Sequence, residues 1–242
     1  MRTSNPMMKE SLFTQSISGV ETMTLQGAVN KTIALLALVV IGASYSWNLF
    51  YNQGPEAVQP WMIGGFIGAF IFAMITIFKA TWAPKTAPIY AVLEGVALGG
   101  ISAFFEARFP GIVIQAVGLT FGTLFALLFA YKTRLIRATE NFKLGVVAAT
   151  GGIALVYLVS IVGGMFGWQM PFIHDSGPMG ILFSLFVVVI AALNLVLDFD
   201  FIERGDGVAP RYMEWYAAFG LVLTLAWLYL ELLRLLSKLR DR

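Results

Sequence analysis

The chain has no cysteine and a single histidine, His174. The first absence excludes disulfides, thiolate nucleophiles and cysteine-ligated metals, and the second excludes a multi-histidine metal site within one chain. Charge is scarce too. Asp, Glu, Lys and Arg make up 12% of 242 residues, against about a quarter in a soluble domain. The net charge of +2 is too small to point to a nucleic-acid partner. There is no Gly-x-Ser-x-Gly elbow, no His-Glu-x-x-His helix and no phosphate loop, so the chain reads as neither an enzyme nor a cofactor binder. His174, beside Asp175, reads as a solvated loop residue.

What fills the chain is hydrocarbon. Apolar residues are 58% of the sequence and the mean hydropathy is +0.79. A membrane span needs about 20 mostly apolar residues. Seven runs qualify: Thr32–Tyr51, Trp61–Phe78, Pro88–Phe105, Gly111–Tyr131, Leu144–Phe166, Met179–Phe199 and Tyr212–Leu236. They do not alternate and are too long for barrel strands. The expected fold is therefore all-α, a bundle over residues 27–242 in a lipid bilayer. Residues 1–26 are mixed and polar and read as a cytoplasmic tail, with a short interfacial helix near Leu12 to Ile17. Trp47, Trp61, Trp82, Trp168 and Trp215 fall near span ends, where indole rings anchor at the interface.

Lys and Arg set the expected orientation. With the N-terminus inside, Arg2, Lys9, Lys31, Lys79, Lys85, Lys132, Arg134, Arg137, Lys143, Arg204 and Arg211 all lie on the cytoplasmic side. Arg108 and the tail residues Arg234, Lys238, Arg240 and Arg242 lie outside, and that tail runs against the rule. Small residues four apart (Gly64 with Gly68, Gly95 with Gly99, Gly145 with Ala149) suit close helix packing.

Acids inside such a chain are informative. An ionised carboxylate at mid-span costs about 2.5 to 3.5 kcal/mol even on lenient scales, so it faces the bundle interior, water or a partner. Asp198 and Asp200 close the sixth span in "NLVLDFDFIERG". At about 100° per residue they point to opposite sides. Asp198 follows Asn194 by one turn, giving a polar stripe directed into the bundle. Asp200 has Arg204 four residues on and is expected to be solvated at the cytoplasmic edge. Glu94 lies about two turns into the third span, and Glu214 enters the seventh near the depth of Asp198. Glu231 lies toward the opposite face, with Arg234 close enough to pair. Asp198 with Asn194 and a second acid could supply the oxygens a calcium ion needs in transit.

The segments "PIYAVLEGVALGGISAFFE", "ATGGIALVYLVS", "NLVLDFDFIERG", "YMEWYAAFG" and "WLYLELLRLLSKL" resemble the Bax inhibitor family, and more narrowly its bacterial YccA-like branch. The resemblance runs from "NPMMKESLF" to the basic tail. It implies six helices wrapped around a central seventh and a calcium leak governed by pH. It implies a bacterial plasma membrane, or, in the branch, a non-conducting regulator that binds a membrane protease or stress-response partner. It further implies a carboxyl pair sharing a proton, whose members fall on Asp198 ("DF") and Glu231 ("LYLE"). The interval between these two is longer than in the family pattern, and the second acid is Glu in place of Asp. Glu94 and Glu214 therefore stand beside Glu231 as candidate partners for Asp198.

Overall fold

The structure is a computed structural model and describes residues 21–167 and 176–241. The tail helix expected near Leu12, and His174 and Trp168, lie outside the described residues. Among the described residues, seven helices are long and apolar enough to cross a membrane. They are α1 (Leu25–Gln53), α2 (Pro55–Phe78), α3 (Ala83–Arg108), α4 (Ile112–Lys132), α5 (Glu140–Met165), α6 (Pro178–Gly205) and α7 (Met213–Arg240). Among the described residues the only extended pairing is one antiparallel bridge, Thr22 to Pro210.

Helix ends follow local chemistry more than hydropathy. Thr24 caps α1, its hydroxyl accepting from the Gly27 N–H at 2.9 Å. The nine-residue break read between the first two spans, residues 52–60, shrinks to Gly54 alone. Its φ of +91° turns the chain, and Pro55 then starts α2 with no amide hydrogen to lose. Similarly, α3 starts at Ala83 and carries Pro88 within it. Thr139 caps α5, accepting from the Phe142 N–H at 3.3 Å.

Helix α7 is the axis of the bundle. Two-thirds of its most apolar stretch is buried (67%), the highest share of any helix. It packs directly on α1, α3, α4 and α6. The ring of six around it is uneven, because α2 packs chiefly on α3 and α1, and α5 packs chiefly on α6 while touching α7 through Tyr157. The tightest contact is α1 on α3. A Cβ on Gly95 would stand 2.2 Å from the Val39 carbonyl oxygen, and one on Gly99 would stand 2.3 Å from that of Ala43. Only hydrogen fits there. The other two small-residue pairs act differently: a Cβ on Gly68 would meet just the Leu93 side chain, while Gly64 and Gly145 face open space.

The helices alternate in direction. At one end, called here the N-terminal end, α1 and α7 both start. Residues 21–25 are stitched there to the α6–α7 loop. Met23 N–H donates to Ala209 O (2.7 Å), Gly207 N–H to Met23 O (2.9 Å) and Leu25 N–H to Asp206 Oδ1 (3.0 Å). At the far end, Arg108 of α3 pairs with Asp241 at 3.2 Å, and Arg240 donates to Pro110 O at 2.8 Å. The start of α1 and the end of α7 therefore lie at opposite ends.

Candidate functional site

Asp198 sits on α6 seven residues before its last residue, Gly205, about 10 Å inside the helix end. The span read from hydropathy stopped at Phe199. The helix continues because Asp200 pairs with Arg204 (2.9 Å) and with Lys143 of α5 (2.8 Å). Asp200 was expected to be solvated. Its side chain is only 16% exposed, covered by these two cations.

The carboxyl group of Asp198 is turned toward α7. A Cβ on Gly220 would stand 3.7 Å from Asp198 Oδ1, and the Thr224 hydroxyl faces the carboxylate as its hydrogen-bonding neighbour. Glycine and threonine one turn apart leave a shallow seat for the acid. The other oxygen, Oδ2, is buried with no hydrogen-bond partner. A buried polar atom left unpaired costs about 1 to 3 kcal/mol, so this one marks an incompletely satisfied position.

Asn194 does not join Asp198. Its amide donates to Thr150 Oγ1 of α5 and to Ile190 O, both at 2.8 Å. The polar stripe on α6 is thus divided, with Asn194 serving α5 and Asp198 serving α7.

The other acids have distinct settings. Glu231 is 2% exposed and fully engaged. It accepts from Tyr157 Oη (2.9 Å), Trp227 Nε1 (3.3 Å) and Arg234 Nη1 (2.9 Å to each oxygen). Arg234 also donates to Tyr157 Oη at 2.6 Å. The carboxyl pair that the resemblance implies between Asp198 and Glu231 is not formed. Asp198 faces Gly220 and Thr224, which places Glu231 about 10 to 16 Å farther along α7.

Glu214, expected near the depth of Asp198, sits about 9 to 15 Å from that level along the helix axis. It is the second residue of α7 and 4% exposed. One of its oxygens accepts from the Thr24 N–H (3.1 Å) and hydroxyl (2.9 Å). A Cβ on Gly27 would overlap that carboxyl group, 2.0 Å from Oε1. Glu214 therefore serves as the anion at the start of α1, where orphaned amides and the helix dipole favour it.

Glu94 is the acid that shares a level with Asp198. The Tyr90 ring meets Phe219 of α7 at 4.9 Å, and Ser102 Oγ meets Tyr229 Oη at 2.6 Å. Helices α3 and α7 thus run alongside in fixed register. Glu94, one turn beyond Tyr90, falls beside the Leu223–Thr224 level. It is partly buried, and no hydrogen bond or ion pair joins it to another described residue.

Thr224, Gly220, Tyr157 and Trp227 escaped the sequence reading. Thr224 and Glu231 are seven apart and share a face of α7, a spacing that flags Thr224 in retrospect. Nothing in the sequence singles out Tyr157. Among the described residues no three His, Cys, Asp or Glu side chains converge to hold a metal ion.

Seven apolar helices with acids buried inside them define a polytopic membrane protein. The chain belongs to the Bax inhibitor 1 like family, whose family model matches residues 5–241. Comparison with curated proteins and with solved structures returns no match.

Proposed function

We propose that this protein is a non-catalytic, proton-sensitive cation leak, with calcium as the cargo. It sits in a bacterial plasma membrane with its N-terminus in the cytoplasm. The observation that carries the reading is the orphaned Oδ2 of Asp198, buried against the central helix. In a span such an oxygen is satisfied by binding a proton or a passing cation, and exchange between the two makes conduction depend on pH. A hard cation takes oxygen ligands, and Asp198 and Thr224 offer them side by side, with Glu94 at the same depth on the α3 side of α7. Glu231 has its charge balanced by Arg234, so it is a structural acid in this reading and not the proton-sharing partner.

Calcium uptake into liposomes holding the purified protein tests this. Asp198→Asn should abolish the pH dependence of flux, and Glu231→Gln should leave that dependence in place. Unchanged flux and pH response in Asp198→Asn would overturn the reading.

A second reading draws on the YccA-like likeness, a regulator that binds a membrane protease or other stress-response partner without conducting. It is favoured by the stitching of residues 21–25 to the α6–α7 loop, since a partner pulling on the tail would act on the hairpin bearing Asp198. Deleting residues 2–20 spares that stitching. Loss of partner capture with no calcium flux in either protein would select the regulator.

A further inference from the structure

Helices α1 and α4 form no packed interface, and the gap between them holds a cavity of about 700 Å³ floored by α3 and α7. Its lining changes along its length. Leu36, Val39, Val117 and Phe121 wall the deep part, whereas Asn48 and Asn52 lie at the far end. On α1 the lining extends from Leu36 to Asn52, about 24 Å of helix, so it passes from the interface beyond the middle of a ~30 Å hydrocarbon core.

The deep polar groups are already spoken for. Ser102 and Tyr229 bond each other at 2.6 Å, and Thr120 donates to its own helix at Ala116 O, 2.7 Å away. Ions and polar solutes would find little to hold there, while hydrocarbon loses nothing. At the rim, the Asn48 and Asn52 amides bond each other and retain spare donors and acceptors. Sites for small ligands run about 300 to 1,000 Å³, and this cavity falls in that range.

We propose that this cavity is a lateral binding site for one acyl chain of a bilayer phospholipid. The chain enters from the hydrocarbon between α1 and α4, and its headgroup rests at Asn48 and Asn52. Occupancy would press on Ala226 and Tyr229 of α7, the helix that also seats Asp198.

The test is photolabelling of the full chain in nanodiscs of phosphatidylcholine carrying a mid-chain diazirine. On α7 the groove is lined by Tyr229, which keeps part of its surface exposed, and by Ala226, so lipid reaches the central helix there through the groove. The expected result is adducts on these α7 residues as well as on outward Phe70 and Ile161. Val117→Trp should fill the groove and lower α7 labelling roughly tenfold, the equivalent of about 1.4 kcal/mol of lost chain binding, with Phe70 labelling unchanged. Val40→Trp, at a position 63% exposed, carries the same test if the first variant does not fold. Labelling confined to Phe70 and Ile161, or α7 labelling that neither tryptophan reduces, would overturn the proposal.

Discussion

Asp198 and Glu231 are two acids against the same central helix, and they are housed in opposite ways. Glu231 receives three side-chain donors, among them the cation Arg234 three residues on. Asp198 receives one hydroxyl neighbour and keeps an oxygen unpaired. A charge fixed by a cation and two donors is part of the scaffold. An acid lacking them is the one on which the proposed exchange of a proton for a cation rests. The difference teaches that burial alone does not nominate a functional acid, because Glu231 is the more deeply buried of the two and it is the satisfied one.

The contrast can be broken or sharpened by four substitutions. Arg234→Ala should have the largest effect, about 3 kcal/mol lost from unfolding in detergent, because it strands a buried carboxylate. A loss below about 1 kcal/mol would mean that Glu231 does not depend on its cation. Tyr157→Phe removes the hydroxyl joining α5 to Glu231 and Arg234. It should cost about 1.5 kcal/mol, with faster hydrogen exchange confined to α5. Asn194→Leu breaks the bond to Thr150 and should cost about 0.6 kcal/mol, the usual worth of such a contact in a membrane. Asp198→Asn should shift stability least, within about 0.5 kcal/mol, since it keeps the shape and discards a charge with no cation beside it. A loss above about 2 kcal/mol in that variant would place Asp198 in the scaffold with Glu231.

The number and order of spans were legible because hydrocarbon runs separated by polar punctuation leave no other arrangement in lipid. Helix ends were less legible. Polar residues such as Asn52 and Gln53 or Glu56 and Gln59 read as loop, yet they stay helical at the ends of spans, and Gly54 alone makes the turn. The inward direction of Asp198 and its separation from Glu231 followed from helical geometry. The level of Glu214 did not. Its hydropathy setting matches that of Asp198, but Asp200 with its two cations prolongs α6 and carries Asp198 deeper. The hold of Tyr157 on Glu231 joins residues 74 positions apart, and nothing in local pattern encodes such a meeting.

The seat of Glu214 beneath Gly27 has a consequence for how the chain is made. Ribosomes deliver α1 first and α7 last, yet the Thr24 amide finds its acceptor 190 residues downstream. During synthesis the leading helix enters the bilayer with that amide unanswered, and its first turn reaches its final form only when the closing helix arrives. Maturation of the two ends is thereby a single late event.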